Sequence, residues 1–265
     1  GLTPESPHVN YSMAAGLLKD NKLREAFDFY EKAHRLKPDW ALPHYGMGYI
    51  FSLRHQTDQA IEQFELALKY QPDFVKAHAG MAMARIAKNQ FDLARRHAEK
   101  MISVQSDLFL GHHILGQVLM AQGLIEEGTA ALTKAQELNP YDPQPLIVLG
   151  DGLAAHRRYD EAAARYRQAL EHDPKRVDVR VRLANLFLHQ GRPADAVRQY
   201  THALAIESNP FIMNELVWTL ATQNLSGIPG LPDAVGLATQ ACRQTGYQQP
   251  NFLDTLAAAY ARAGR

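Results

Sequence analysis

The stretch Ala41–Pro72, ALPHYGMGYIFSLRHQTDQAIEQFELALKYQP, decides the fold, because a block of the same pattern recurs on either side of it every 34 residues. With Ala41 as position 1, Gly48, Ala60, Ala67 and Pro72 fall at positions 8, 20, 27 and 32. Position 8 then reads Ala14, Gly48, Ala82, Gly116, Gly150 and Ala184, and position 20 reads Ala26, Ala60, Ala94, Gly128, Ala162 and Ala196. Position 27 is small except at Met101, and position 32 is Pro38, Pro72, Ser106, Pro140, Pro174 and Ser208. Composition alone does not keep six registers in step without a gap.

Between the small positions lie large apolar ones. Position 7 is Met13, Met47, Met81, Leu115, Leu149 and Leu183, and position 24 includes Tyr30, Phe64, Leu132, Tyr166 and Tyr200. Apolar residues at 4, 7, 8 and 11, and again at 20, 24 and 27, follow helical spacing, so each unit predicts two short amphipathic helices and the chain an all-α fold. Small residues at 8 and 20 are expected to face each other and let the backbones approach, with the large residues filling the flanks.

These positions resemble the tetratricopeptide repeat, a helix-turn-helix unit with the pattern W-x2-L-G-x2-Y, A-x3-F and a closing Pro. The resemblance implies a right-handed α-α superhelix, a solenoid of about seven repeats plus a partial eighth. It implies one solenoid over residues 1–265, with repeats at 7–38, 41–72, 75–106, 109–140, 143–174, 177–208, 210–246 with an insertion, and 250–265 in part. The position of the family's Trp is Asn10, His44, His78, His112, Leu146 and Arg180 here, which hides the subfamily.

The 28 basic and 28 acidic residues cancel, which removes the electrostatic argument for nucleic acid or an anionic membrane surface. One cysteine, Cys242, excludes an internal disulfide framework and a cysteine-cluster metal site without fixing the compartment, cytoplasmic or periplasmic. No apolar run approaches the roughly 18 residues that span a bilayer, and no signal sequence opens the chain. Gly1 in place of Met reads as an excised or processed piece, whose parent can carry an anchor or another domain.

In chain order, the leader Gly1–Ser6 is expected to be irregular and the second helix of the first repeat to run near Leu23 to Leu36. An acid stands at position 18 or 19 of every unit, as Glu25, Asp58, Asp92, Glu126, Asp160 and Asp195, where a carboxylate meets the positive end of a helix. Pro at position 32 is expected to end the second helix, and Asp39, Asp73, Asp107 and Asp142 to cap the next one. After Ser208 the period slips, because Gln223–Pro232 lengthens the turn before a second helix with Ala234, Ala238 and Ala241 at its small positions. The closing QQPNFLDTLAAAYARAGR predicts a lone first helix with an apolar stripe of Leu253, Leu256, Ala257 and Tyr260. Either the chain ends short of that helix's partner or the stripe packs on another molecule. The run from Asn214 onward is similar to the final repeats of many bacterial repeat proteins, some attached to multi-pass membrane glycosyltransferases.

Chemistry-bearing motifs are sparse. No HExxH, GxSxG, GxxxxGK or Gly-rich phosphate loop is present. His44, His78 and His112 share position 4, but equivalent atoms of stacked repeats sit about 10 Å apart, too far to share one zinc. They read instead as half-buried substitutes for the family's Trp. Cys242 beside Ala241 reads as an inert, partly buried thiol. Asn224-Leu225-Ser226 fits a glycosylation sequon of low specificity. No catalytic residue, cofactor or metal ligand is assigned.

The resemblance implies a concave groove lined by first-helix positions 2, 5, 9, 12 and 13. On this chain those positions include Tyr11, Leu42, Tyr45, Tyr49, Met83, Leu110, His113, Gln117, Asp151, Asn185 and Trp218. The early half is apolar and aromatic, suited to a peptide or helix, and the later half is polar. The competing reading is that Tyr45, Tyr49 and Trp218 pack between neighbouring first helices. The basic and Asn-rich clamp that some relatives use for carboxy-terminal carboxylates is not evident, since Ala15 stands where its Asn would be. The sequence thus predicts a non-enzymatic scaffold that holds a protein or peptide partner in the groove, with no nucleic acid and no membrane span. The alternatives are a regulatory or substrate-presenting domain of a larger enzyme, such as a membrane-anchored glycosyltransferase, and self-association through the open C-terminal helix.

Overall fold

A computed structural model describes residues 6–223, 225 and 231–264. The expected leader except Ser6, most of the Gln223–Pro232 insertion and two residues of the sequon lie outside the described residues. Among the described residues there are fifteen helices and no strand, so the all-α expectation holds. The chain divides into two compact units, Gly1–Pro140 and Tyr141–Arg265. The first contains α1 Pro7–Lys19, α2 Leu23–Leu36, α3 Ala41–Leu53, α4 Thr57–Tyr70, α5 Val75–Ala87, α6 Phe91–Val104, α7 Phe109–Ala121 and α8 Ile125–Leu138. The second contains α9 Gln144–Ala155, α10 Tyr159–His172, α11 Val177–His189, α12 Pro193–Ile206, α13 Pro210–Thr222, α14 Ala234–Gln244 and α15 Pro250–Arg262.

Within the first unit each odd helix packs on the next even one to make a hairpin, and each even helix from α2 to α6 packs on the following first helix. First helices also touch one another, α1 with α3, α3 with α5 and α5 with α7. In the second unit α9 packs on α10, α10 on α11, α11 on α12, α12 on α13 and α13 on α14, and α15 then packs against both α13 and α14.

The packing follows from residue size. A Cβ built on Gly48 would lie 2.7 Å from the Phe64 ring and 3.2 Å from the Ala60 carbonyl oxygen. Position 8 therefore meets position 20, as expected, but presses hardest on the large side chain at position 24. That side chain is also covered from the other side: a Cβ on Gly80, at position 6 of the next repeat, would sit 2.5 Å from the same Phe64 ring. Gly46 stands in the same relation to Tyr30, with a Cβ 2.5 Å from its ring. Where position 24 is small, at Ala98, position 6 of the next repeat is the large Ile114, and the two share one buried cluster with Val118. Core volume is kept while the bulk changes sides.

The turn inside each of the first six hairpins is closed by one backbone device. Position 15, occupied by Asn21, His55, Asn89, Gly123, Arg157 and Gly191, takes a positive φ between 56° and 78°. The next amide reaches back five residues, from Lys22 to Leu17 O at 2.9 Å and equivalently through Arg192 to Phe187 O at 2.8 Å. This left-handed cap satisfies a carbonyl at the end of the first helix and reverses the chain.

The acids at positions 18 and 19 all fall in first turns of second helices, from Glu25 in α2 to Asp195 in α12. The second helix of the first repeat has the expected bounds, Leu23–Leu36. Second helices end two residues before position 32 whether it is Pro38 or Ser106, so proline is not required for the stop. The expected caps from Asp39, Asp73 and Asp107 do not form, because the N-cap place is taken by the apolar Trp40, Phe74 and Leu108. Asp73 pairs instead with Lys100 Nζ at 2.6 Å. Asp142 does accept from the Gln144 amide at 2.9 Å, and Asn209 and Asp233 cap α13 and α14.

Gly116 tests the contact at position 8, since a Cβ there would lie 2.5 Å from Leu132 Cγ and 3.1 Å from its backbone nitrogen. Gly116→Leu is expected to lower stability by about 1 to 3 kcal/mol in chemical denaturation. An unchanged midpoint would mean that position 8 carries no interhelical contact.

Candidate functional site

In the first unit α3, α5 and α7 present one side of their cylinders to a cleft of about 560 Å³. Six of the residues predicted to line a groove meet there: Tyr45 and Tyr49 from α3, Met83 from α5, and Leu110, His113 and Gln117 from α7. Tyr49, Met83 and Leu110 are 41%, 49% and 40% exposed, which is high for side chains of this kind standing together. Tyr45 is the half-buried member, with its ring 6.4 Å from Tyr49, 6.1 Å from Phe64 and 5.2 Å from Phe74. Burial first, and then the neighbouring Tyr49 and Tyr11, push its phenol pKa above the usual range. His113 stacks on Phe109 at 5.7 Å.

Sequence reasoning left out part of this lining. Phe64, Gly80 and Ile114 form its floor, and Ser52 and Lys76 its edge. The signal for the floor was present in the reciprocal sizes of positions 24 and 6. Lys76 was legible too, since it shares position 2 with Leu42 and Leu110. The Ser52 hydroxyl donates to the Gly48 carbonyl at 3.0 Å and so is already engaged.

The other predicted residues do not join the cleft. Tyr11 packs on Tyr30 at 5.7 Å and on Trp40 at 5.2 Å. Leu42 is partly buried against Ala41, Ala67, Phe74 and Ala77. In the second unit Asp151 accepts from the Tyr166 hydroxyl at 2.6 Å and from Arg182 Nε at 3.0 Å, and Asn185 accepts from the Tyr200 hydroxyl. Position 9 there serves the tyrosine at position 24 of its own hairpin. Burial and the Asp151 bond raise the Tyr166 pKa, and burial and nearby Glu215 raise that of Tyr200. Trp218, on α13, is 48% exposed.

Position 4 fastens neighbouring turns. His78 Nε2 donates to the Pro72 carbonyl at 2.8 Å, His112 Nε2 meets Ser106 O at 2.9 Å, and Arg180 donates to Pro174 O at 2.7 Å. A second bond joins position 4 to position 23, His44 Nδ1 to Gln63 Oε1 and His78 Nδ1 to His97 Nδ1, both 2.9 Å. With Nε2 of neutral His78 donating, its Nδ1 accepts, so His97 donates through Nδ1. Among the described residues no three His, Cys, Asp or Glu side chains are grouped to hold a metal ion. Cys242 is fully buried, its thiol facing the Phe252 carbonyl at 3.6 Å, and burial pushes its pKa up. Among the described residues no helix is long and apolar enough to cross a membrane.

Hairpins of this period and packing define the tetratricopeptide-repeat fold, and the family model of the tetratricopeptide repeat matches residues 153–223. The chain is built of such repeats, a fold typical of protein-interaction scaffolds. No curated protein matches it in sequence. Among solved structures, a chain of the APC/C hetero-tetramer Cut9-Hcn1 is similar at a TM-score of 0.68 and 19% identity, over 82% of this chain and 43% of that one. This chain thus spans less than half of that relative's length. PilW, a type IV pilus biogenesis factor, is similar at 0.70 and 15% identity, over 75% of this chain and 92% of that one. YrrB, described as a TPR protein with an unusual peptide-binding site, is similar at 0.50 and 20% identity, over 69% of this chain and 94% of that one.

The His78–His97 contact makes stability depend on pH. Burial, then His78 and Arg85, pull the His97 pKa down to about 4, whereas an unfolded imidazole titrates near 6.5. The unfolded chain binds a proton in that window that the folded chain refuses, so this contribution is full above about pH 6.5 and is lost toward about 4. His97→Gln copies the His44–Gln63 pair, and its melting temperature is expected to fall less than that of the parent between those limits. Equal slopes for the two would contradict the assignment.

Proposed function

We propose that the protein is a non-enzymatic scaffold and that the cleft on α3, α5 and α7 holds a segment of a partner protein or peptide. The observation that carries this reading is the convergence of Tyr49, Met83 and Leu110, exposed and from three successive first helices, on one concavity floored by Phe64. Aromatic and thioether side chains bury large area at small entropic cost and supply most binding hot spots. The lining is rich in such groups, which favours capture of apolar side chains over chemistry on a small substrate. YrrB, with its peptide-binding site, offers a precedent on the same fold.

The test uses the tightest peptide selected from a display library against the intact chain. Because Tyr49 and Met83 are each more than two-fifths exposed and outside the buried core, Tyr49→Ala combined with Met83→Ala is expected to leave helicity unchanged and melting little changed. The selected peptide should bind roughly 30-fold or more weakly, the range of a hot-spot pair. Undiminished binding would show that the peptide sits elsewhere, and loss of fold would show that these side chains are core.

A further inference from the structure

No acidic side chain lines the cleft. The first helices of the first unit, α1, α3, α5 and α7, contain no aspartate or glutamate, whereas each of α2, α4, α6 and α8 contains at least two. The repeat itself does not impose this, because the corresponding helices of the second unit carry Asp151, Asp178, Glu215 and Asp254. The cations on the acid-free helices are Lys19, Lys76 and Arg85. Arg85 is engaged, with Glu65 at 3.1 Å and Gln90 at 2.7 Å. Lys19 ends α1, where a positive charge suits the helix.

Lys76 is different. It stands in the first turn of α5, the end where a cation is disfavoured, and it lines the apolar cleft. Among the described residues no carboxylate pairs with it, and Asp73, three residues back, is taken by Lys100. Among the described residues of the first unit no ion pair or hydrogen bond uses this charge.

We propose that the occupant of the cleft is an acidic, apolar peptide segment, its large side chains seated among Tyr45, Tyr49, Met83 and Leu110 and its Asp or Glu carboxylate against Lys76 Nζ. The proposal rests on the groove reading above and names the chemistry of its partner. A segment that covers the cleft also strips water from Lys76. An ammonium desolvated without a counter-ion opposes binding, while one met by a carboxylate favours it and rejects basic competitors. Nucleic acid fits less well, since backbone recognition needs several cations along a track, whereas Lys76 is the one lysine that lines the cleft and the chain has zero net charge.

The test titrates the full chain with fluorescent dodecapeptide pools made from Leu, Phe, Ser and Glu. Matched pools carry Gln or Lys in place of Glu, and oligothymidylate is run alongside. The Glu pool is expected to bind about tenfold tighter than the Gln pool, with the Lys pool weakest and the difference shrinking as salt is added. Lys76→Gln should erase that difference and Lys76→Glu should pass the preference to the Lys pool. Glu and Gln pools that bind alike, with no response to Lys76→Gln, overturn the charge assignment and leave the groove standing. Binding of no pool overturns both, and oligothymidylate binding tighter than the Glu pool overturns the assignment in favour of nucleic acid.

Discussion

The structure depends on the side chain at position 24 being enclosed between two first helices. Phe64 shows it most clearly, with Gly48 of its own hairpin on one side and Gly80 of the next hairpin on the other, each too close to tolerate a Cβ without movement. A hairpin that cannot bury its own ring must borrow a wall from its neighbour, which is why such units occur in rows and why their stability resides in nearest-neighbour interfaces. The same ring, with the Gly80 backbone, forms the floor of the cleft. Core and candidate site are thus two sides of one contact.

In the hairpins of Tyr166 and Tyr200, position 24 is answered by position 9 of the same hairpin. Tyr166 and Tyr200 bring buried hydroxyls toward the inner face, and Asp151 and Asn185 accept from them. Phe64 and Ala98 bring none, and Tyr49 and Met83 at position 9 are left exposed. A buried hydroxyl needs an acceptor, so the first unit keeps an apolar cleft where the second has a fixed hydrogen-bond layer. Tyr30 has no such acceptor at Ala15, and its pKa is pushed up to about 12 by burial and by Tyr11 and Tyr45.

Much of this was legible in the sequence. The period fixed the helical class, and the small residues at positions 8 and 20 marked the close approach of paired helices. The acids in first turns were readable because dipole chemistry is local. The groove list was less complete, because it took lining from first-helix positions alone and so missed Phe64, whose ring edge reaches through the gap left by Gly80. The bonds of Asp151 and Asn185 to tyrosines fifteen residues away were not legible, since they depend on where a ring points. The capping aspartates failed for a similar reason: Trp40, Phe74 and Leu108 hold the N-cap place, outweighing the local preference that an isolated Asp carries.

The claim that in the first unit bulk at position 24 is matched by space at position 6 of the next repeat, as at Tyr30–Gly46 and Phe64–Gly80, is tested most directly by a double-mutant cycle at Ala98 and Ile114, where the sizes are reversed. Ala98→Phe alone should destabilise by overpacking and Ile114→Gly alone by leaving a void. Combined they rebuild the Phe64–Gly80 arrangement, and the double variant should lose clearly less stability than the sum of the single losses. Losses that simply add would mean that the two side chains do not share a space, contradicting the account.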